Sequence, residues 1–259
     1  MAWASVGTAG ATSDKVAGTS IVGSFDVDVP AGDVVLVAVA KDNASSSNGN
    51  TSEFTGMTDD AGNTWTKARE YCNANSAANA GVTTAFYYTK VTSAITNGEL
   101  FTISFSDSRT ASAVSAWQFS IAAGSTVSVA GSGDLANLAA DPGSLSISGL
   151  ASSEYLFVRL VGTARSIATA LTPTGSWTAA DGIETTGGSA IDNVGIRWEF
   201  FITTATGATS DPTLVASTHA STMVAFLETA GATGQPTLTR SFGVPFARPA
   251  GFGGARLGG

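Results

Sequence analysis

Asp59, Asp60 and Asn63 set three oxygen donors on one short stretch, the grouping in this chain that comes nearest to a site for a hard cation such as calcium. Their spacing matches no EF-hand loop. Thr58-Asp-Asp-Ala-Gly-Asn63 has the composition of a turn, in which short polar side chains bond their own backbone. Nucleophilic chemistry is as thinly supplied. Cys72 is the single cysteine and His219 the single histidine, and they stand far apart in the chain. A thiolate or serine nucleophile needs a base beside it, and no serine sits in a Gly-x-Ser-x-Gly elbow. Asp59 and Asp60 are neighbours on one turn, which does not suit the facing carboxylates of glycoside hydrolysis. Phosphate-loop, dinucleotide and zinc-knuckle spacings are missing as well. These residues predict a protein that is not an enzyme and that uses no metal or cofactor.

A recognition surface is the remaining chemical option. Two polar loops, Asn43–Asn50 and Asn73–Asn79, flank Tyr71. Amide and aromatic side chains gathered at a loop end are what sugar-binding modules use, so Tyr71, Asn48 and Asn73 are the candidate glycan contacts. The tryptophans Trp65, Trp117, Trp177 and Trp198 fall inside strand-like runs and are expected to pack in a core.

The elements that must carry these residues are strands. Period-2 alternation recurs along the chain, as in Phe25-Asp-Val-Asp-Val29, in Leu100-Phe-Thr-Ile-Ser-Phe105 with Phe101, Ile103 and Phe105 on one face, and in Ile196-Arg-Trp-Glu-Phe-Phe-Ile202. Val34–Ala40 is uniformly apolar and reads as a buried strand. Residues 41–58 read as a long polar loop, and Asn97-Gly98 as a tight turn. Helical periodicity is hard to find.

The same series of strands occurs twice. Asp33–Ala40, Asn63–Thr66, Gly81–Tyr88 and Ser112–Gln118 are answered in order by Glu154–Val161, Gly175–Thr178, Asn193–Phe200 and Ser221–Leu227. Val35 and Leu156 lie 121 residues apart, Trp65 and Trp177 112, Phe86 and Trp198 112, and Trp117 and Phe226 109. A shrinking offset means that the second set has shorter loops between retained strands. The expected fold is therefore all-β: two tandem antiparallel β-sandwich, jelly-roll-like domains related by internal duplication, at residues 1–128 and 129–230, followed by an extended C-terminal arm at 231–259. Closure of both strand sets into one larger sandwich is the alternative arrangement.

The arm differs in kind. No acidic residue follows Glu228, whereas Arg240, Arg248 and Arg256 remain among glycines and prolines. Such a segment cannot form its own core and is expected to bind a neighbouring subunit or the acidic body, with Phe242, Phe246 and Phe252 as apolar anchors and the three arginines as charge pins.

Bulk composition narrows the partners. A net charge of −8 without a basic cluster argues against nucleic acid and anionic membranes, which are bound through Lys and Arg. The longest apolar run is far shorter than the roughly 20 residues of a membrane-spanning helix. The first residues, Met1-Ala-Trp-Ala-Ser-Val-Gly-Thr, lack the basic and apolar regions of a secretory signal, so synthesis in the cytoplasm is expected. Charged residues make up only 12% against the usual quarter, and a low-charge surface rich in small residues suits close packing between subunits.

The series Val34-Val-Leu-Val-Ala-Val-Ala-Lys-Asp42, Thr58-Asp-Asp-Ala-Gly-Asn-Thr-Trp-Thr-Lys67, Gly81-Val-Thr-Thr-Ala-Phe-Tyr-Tyr-Thr-Lys90 and Ala113-Val-Ser-Ala-Trp-Gln-Phe119 resembles the jelly-roll-like structural proteins of tailed bacteriophages. The likeness covers most of the first strand set and the second more weakly, and it transfers no catalytic residue. It implies a virion component made in the host cytoplasm: a capsid decoration protein, or a tail or fibre accessory protein, for which the lectin-like host-glycan role is the alternative. The partners so implied are capsid or tail proteins of the same virion, with homo-oligomerisation, for instance as a trimer.

Overall fold

In the computed structural model, the described residues are 3–78, 80–137, 141–164, 170–187, 193–214 and 218–231. The six arm residues Arg240, Phe242, Phe246, Arg248, Phe252 and Arg256 lie outside them. The fold is all-β, and every ladder is antiparallel.

Eight strands make the first half: β1 (Ala4–Asp14), β2 (Gly18–Ser24), β3 (Val34–Asp42), β4 (Phe54–Asp59), β5 (Thr66–Asn73), β6 (Val82–Lys90), β7 (Leu100–Arg109) and β8 (Ser112–Ser120). They form a five-stranded sheet of order β1-β8-β3-β6-β5 and a three-stranded sheet of order β2-β7-β4. The pairs β1·β8, β2·β7 and β3·β6 are nested, as if a long hairpin had been rolled up. The second half has β9 (Thr126–Asn137), β10 (Leu145–Ile147), β11 (Ser153–Thr163), β12 (Thr178–Glu184), β13 (Gly195–Ala205), β14 (Ala208–Ser210) and β15 (His219–Thr229). Its sheets run β12-β13-β11-β15-β9 and β10-β14, with the nested pairs β9·β15, β10·β14 and β11·β13. Matching β1 to β9, β3 to β11, β5 to β12, β6 to β13 and β8 to β15 superimposes the two large sheets strand for strand.

These ladders correct the sequence register. Phe86 pairs with Ala38, and Trp198 with Leu160. With Phe86 matched to Trp198, Ala38 corresponds to Leu160, 122 residues on, so Val35 corresponds to Phe157 and not Leu156. The distinction is physical, because a slip of one residue turns a side chain to the opposite face. Val35 and Phe157 both point to the outer cores, whereas Leu156 points inward. By the same ladders Trp117 corresponds to Val224 and not Phe226, a two-residue slip that keeps the face.

The molecule is four layers deep. Val35, Val37, Val39, Phe101, Ile103 and Phe105 fill the core between the two sheets of the first half. Ile147, Tyr155, Phe157, Trp177, Met223 and Ala225 do so in the second. The largest core lies between the halves, where Leu36, Ala38, Ala40, Phe86 and Phe119 meet Leu156, Val158, Leu160, Trp198, Phe200 and Phe226. Both faces of β3 and β11 are thus buried, which is why Val34–Ala40 reads as a continuous apolar run and Tyr155–Val161 as one broken only by Arg159. The two strand sets share a core, whereas the sequence reading set them as separate tandem units.

The packing across this seam is two-fold. β1 touches β12 and β5 touches β9. β8 touches β12 and β13, just as β15 touches β5 and β6. β3 packs on β13 and β6 on β11, with β3·β11 at the centre. Each contact maps onto its mate under the strand equivalence, the isologous relation found in C2 dimers. Polar ties seal the rim: Arg69 donates to Asp134 at 2.8 Å, and the Trp3 amide to Glu154 at 2.9 Å.

Three local differences from the sequence reading have simple causes. The loop expected at 41–58 is shorter, because Lys41 and Asp42 complete β3 while Phe54 and Met57 plunge into the outer core and begin a further strand. Phe25 and Val29 are buried as the alternation implied, but the segment forms only a bridge, Val29 to Ile95, beyond β2. The expected boundary at 128/129 falls inside β9, which pairs along its length with β15.

Candidate functional site

The Asp59–Asn63 stretch is a turn in which Asp59 holds the loop together. Asp59 accepts from the Asn63 amide at 2.8 Å, from the Asn63 side chain at 3.0 Å and from Trp65 Nε1 at 3.0 Å. Asp60 accepts from the Leu100 amide at 3.1 Å. Among the described residues no group of three His, Cys, Asp or Glu side chains could hold a metal ion.

Tyr71, Asn48 and Asn73 come together at one end of the first half, where Asn48 is exposed and Asn73 buried. Asn48 Oδ1 accepts from the Ala74 amide at 2.8 Å, and the Gly49 amide donates to the Cys72 carbonyl at 2.8 Å. Asn73 is buried, donates to the His219 carbonyl at 2.8 Å and accepts from the Asn75 amide at 3.2 Å. Tyr71 is half-buried against the central core. A buried amide engaged at both ends has little to offer a sugar.

Two buried polar clusters were not singled out in the sequence. In the first, Lys41 is fully buried and donates to Glu53 Oε2 at 2.7 Å and to the Asp42 carbonyl at 3.1 Å. Glu53 also accepts from the amides of Ala44 and Ser45, each at 2.8 Å, and from Thr83 Oγ1 at 2.7 Å. Burial pushes the Glu53 carboxyl up, but the hydrogen bond and charge of Lys41, together with the hydrogen bonds from Thr83 and the Ala44 amide, outweigh it and hold the group below its ordinary value. Asp107 Oδ1 lies 3.9 Å from Lys41 Nζ, and the Phe54 and Phe105 rings stand 5.6 and 5.7 Å from that nitrogen. Glu70 accepts from the amides of Glu53 and Phe54 and pairs with Lys67, and burial holds its carboxyl above the ordinary value.

The second cluster lies between the sheets of the other half. Arg159 is fully buried on β11 and donates to the Ser210 carbonyl at 2.8 Å, to Ser210 Oγ at 3.1 Å, and at 3.3 Å to both the Pro142 carbonyl and Ser221 Oγ. Ser210 Oγ in turn donates to Glu199, so one serine bridges the two charges. Desolvation lowers Arg159 to about 10 and raises Glu199. Buried His219 is lowered to about 4 by desolvation and by the charge of Arg159. Cys72 is buried on the other face of β5 from Asn73, and desolvation lifts its thiol to about 11. Cys72 and His219 therefore do not form a nucleophile and base.

Both clusters left a trace in the sequence. Lys41 directly extends the buried run Val34–Ala40, and Arg159 and Glu199 interrupt the apolar strands 154–161 and 196–202. A charge at a strand position whose flanking residues are buried must find an internal partner.

The fold and these sites define an all-β protein of stacked antiparallel sheets, whose polar side chains mostly tie loops and sheets together. No protein-family model, curated protein or solved structure matches the chain.

Proposed function

We propose that the protein is a non-enzymatic structural component of a tailed-bacteriophage virion, a capsid decoration or cement protein made in the host cytoplasm and built as an internal duplication of a jelly-roll-like sandwich. The observation that carries the reading is the two-fold seam: the nested strand order occurs twice, and the copies bury their large sheets against each other. That arrangement makes one block with two small outer sheets, the form a part needs when it serves by shape. Asp59 and the buried Asn73 are engaged in internal hydrogen bonds, and the Asn48 carbonyl oxygen accepts one from the Ala74 amide. In this reading the arm at 231–259 attaches the block to capsid or neighbouring subunits through Phe242, Phe246 and Phe252 and through Arg240, Arg248 and Arg256. Symmetric self-association of the block follows the usual habit of such parts.

The test is incorporation. Particles assembled with the full chain and with a chain lacking residues 236–259 are purified and their protein content compared. The shortened chain is expected to fold and to be lost from the particles. Equal incorporation of both chains would remove the arm as attachment device, and absence of the full chain from particles would overturn the virion role.

A further inference from the structure

We propose that Lys41 and Asp107 are the partners of an intramolecular isopeptide bond, formed with Glu53 as proton carrier, that clamps the two sheets of the first half together. Three observations carry it. Lys41 belongs to β3 in the five-stranded sheet and Asp107 to β7 in the three-stranded one, so the link crosses the sandwich. Of the three ammonium hydrogens, Glu53 and the Asp42 carbonyl accept two, which leaves the third for Asp107 Oδ1 at 3.9 Å. The Phe54 and Phe105 rings flank the nitrogen and keep water from it.

The chemistry balances without a co-reactant. Glu53 takes a proton from the Lys41 ammonium and passes it to the Asp107 carboxylate. The freed Nζ lone pair attacks Cγ of Asp107, and Arg109, paired with the other oxygen, stabilises the negative charge that develops there. Glu53 then carries the second Nζ proton to the departing oxygen. The C–N bond forms, the C–O bond breaks, and one water leaves. An ammonium and a carboxylate have become a neutral amide, with no net proton taken up or released. Asp107 is 38% exposed, so it has room to rotate toward the nitrogen and an exit for the water. Glu53, held by two backbone amides and Thr83, is fixed as the carrier and is not itself the acceptor. Holding the buried amine within 3.9 Å of the carboxylate supplies the effective concentration that a free amine and acid lack.

Intact-mass spectrometry of the purified, denatured full chain decides the matter. The expected mass is that of the sequence less one water, and digestion is expected to yield a branched peptide joining the segments that carry residues 41 and 107. Asp107→Asn is expected to reach the same final mass, since it loses ammonia where aspartate loses water. Asp107→Ala, with the fold checked by circular dichroism, is expected to show its full sequence mass. Glu53→Gln is expected to remain uncoupled, with the fold checked by circular dichroism. A folded wild-type chain at full sequence mass after prolonged incubation would overturn the proposal. So would a branch placed on Glu53 in place of Asp107.

Discussion

The side-chain amide of Asn73 donates to the main-chain carbonyl of His219 across 2.8 Å, joining the end of β5 to the start of β15 where the two large sheets face each other. Both residues are buried. Asn73→Ala removes a buried donor and the acceptor of the Asn75 amide from this junction. The expected loss is about 1–3 kcal/mol of folding stability, measured by denaturant titration. A role in binding sugars predicts the opposite pattern, with stability untouched. Wild-type stability in the Asn73→Ala variant would show that the bond contributes nothing to the seam.

At Gly162 the two large sheets approach closely. A methyl group placed there would collide with Thr84 Cγ2 and lie 3.2 Å from Ala40 Cβ and 3.3 Å from Val82 Cγ2. Gly162→Ala is therefore expected to cost roughly 1–3 kcal/mol through overpacking. Thr84→Ser deletes the obstructing methyl group, so the double variant is expected to recover much of that loss. The two changes would then be strongly coupled in a double-mutant cycle. Additive effects would mean that the sheets are held apart elsewhere.

Much of this arrangement was legible in the residues. The alternation at Phe101, Ile103 and Phe105, and at Ile196, Trp198 and Phe200, gave the buried faces correctly, because period-2 patterning reports directly on which side of a strand is covered. Trp65 and Trp177, matched in the repeat, each stand just before a strand at the edge of a large sheet. The first repeat offset failed by one residue because Val34–Ala40 is apolar on both faces. Such a strand carries no alternation with which to fix its register, and only the ladders to Phe86 and Trp198 supply it. For the same reason the seam itself was not predicted: a two-sided core identifies a central strand without naming what lies on each side. The clusters at Lys41 and Arg159 depend on pairings such as Lys41 with Glu53 across a turn and Arg159 with Ser210 from another sheet, which no local pattern encodes.

Titration of His219 makes the second half sensitive to acid. The unfolded imidazole takes its proton near pH 6.5, whereas burial and Arg159 delay protonation in the folded chain to about 4. Over that interval the unfolded state binds more protons, so stability is retained above pH 6.5 and falls as the pH is lowered toward 4. The size of the effect is about 3 kcal/mol at most. Glu199, raised by burial, takes up its proton early in the folded state and offsets part of the loss, while Arg159 stays charged throughout and the Pro142 carbonyl and the charge of Asp141 act in the opposite sense, favouring protonated His219. The comparison that isolates the histidine is wild type against His219→Gln across this range by chemical denaturation. The stability gap is expected to shift in favour of the variant as the pH falls, and parallel curves would rule the histidine out as the source.

Cys72 offers a direct reading of how tightly the first half is closed. Its thiol is buried, and desolvation raises it to about 11, so at neutral pH very little thiolate exists and none of it is accessible. Alkylation by iodoacetamide is expected to be negligible in the native chain and complete in denaturant, with the native rate following the opening of β5 from its neighbours. Because β5 belongs both to its own sheet and to the seam with β9 and β15, loosening the seam by Asn73→Ala or Gly162→Ala is expected to accelerate the labelling. Rapid alkylation of the wild-type protein under native conditions would mean that this edge of the sheet opens on its own, without the seam to restrain it.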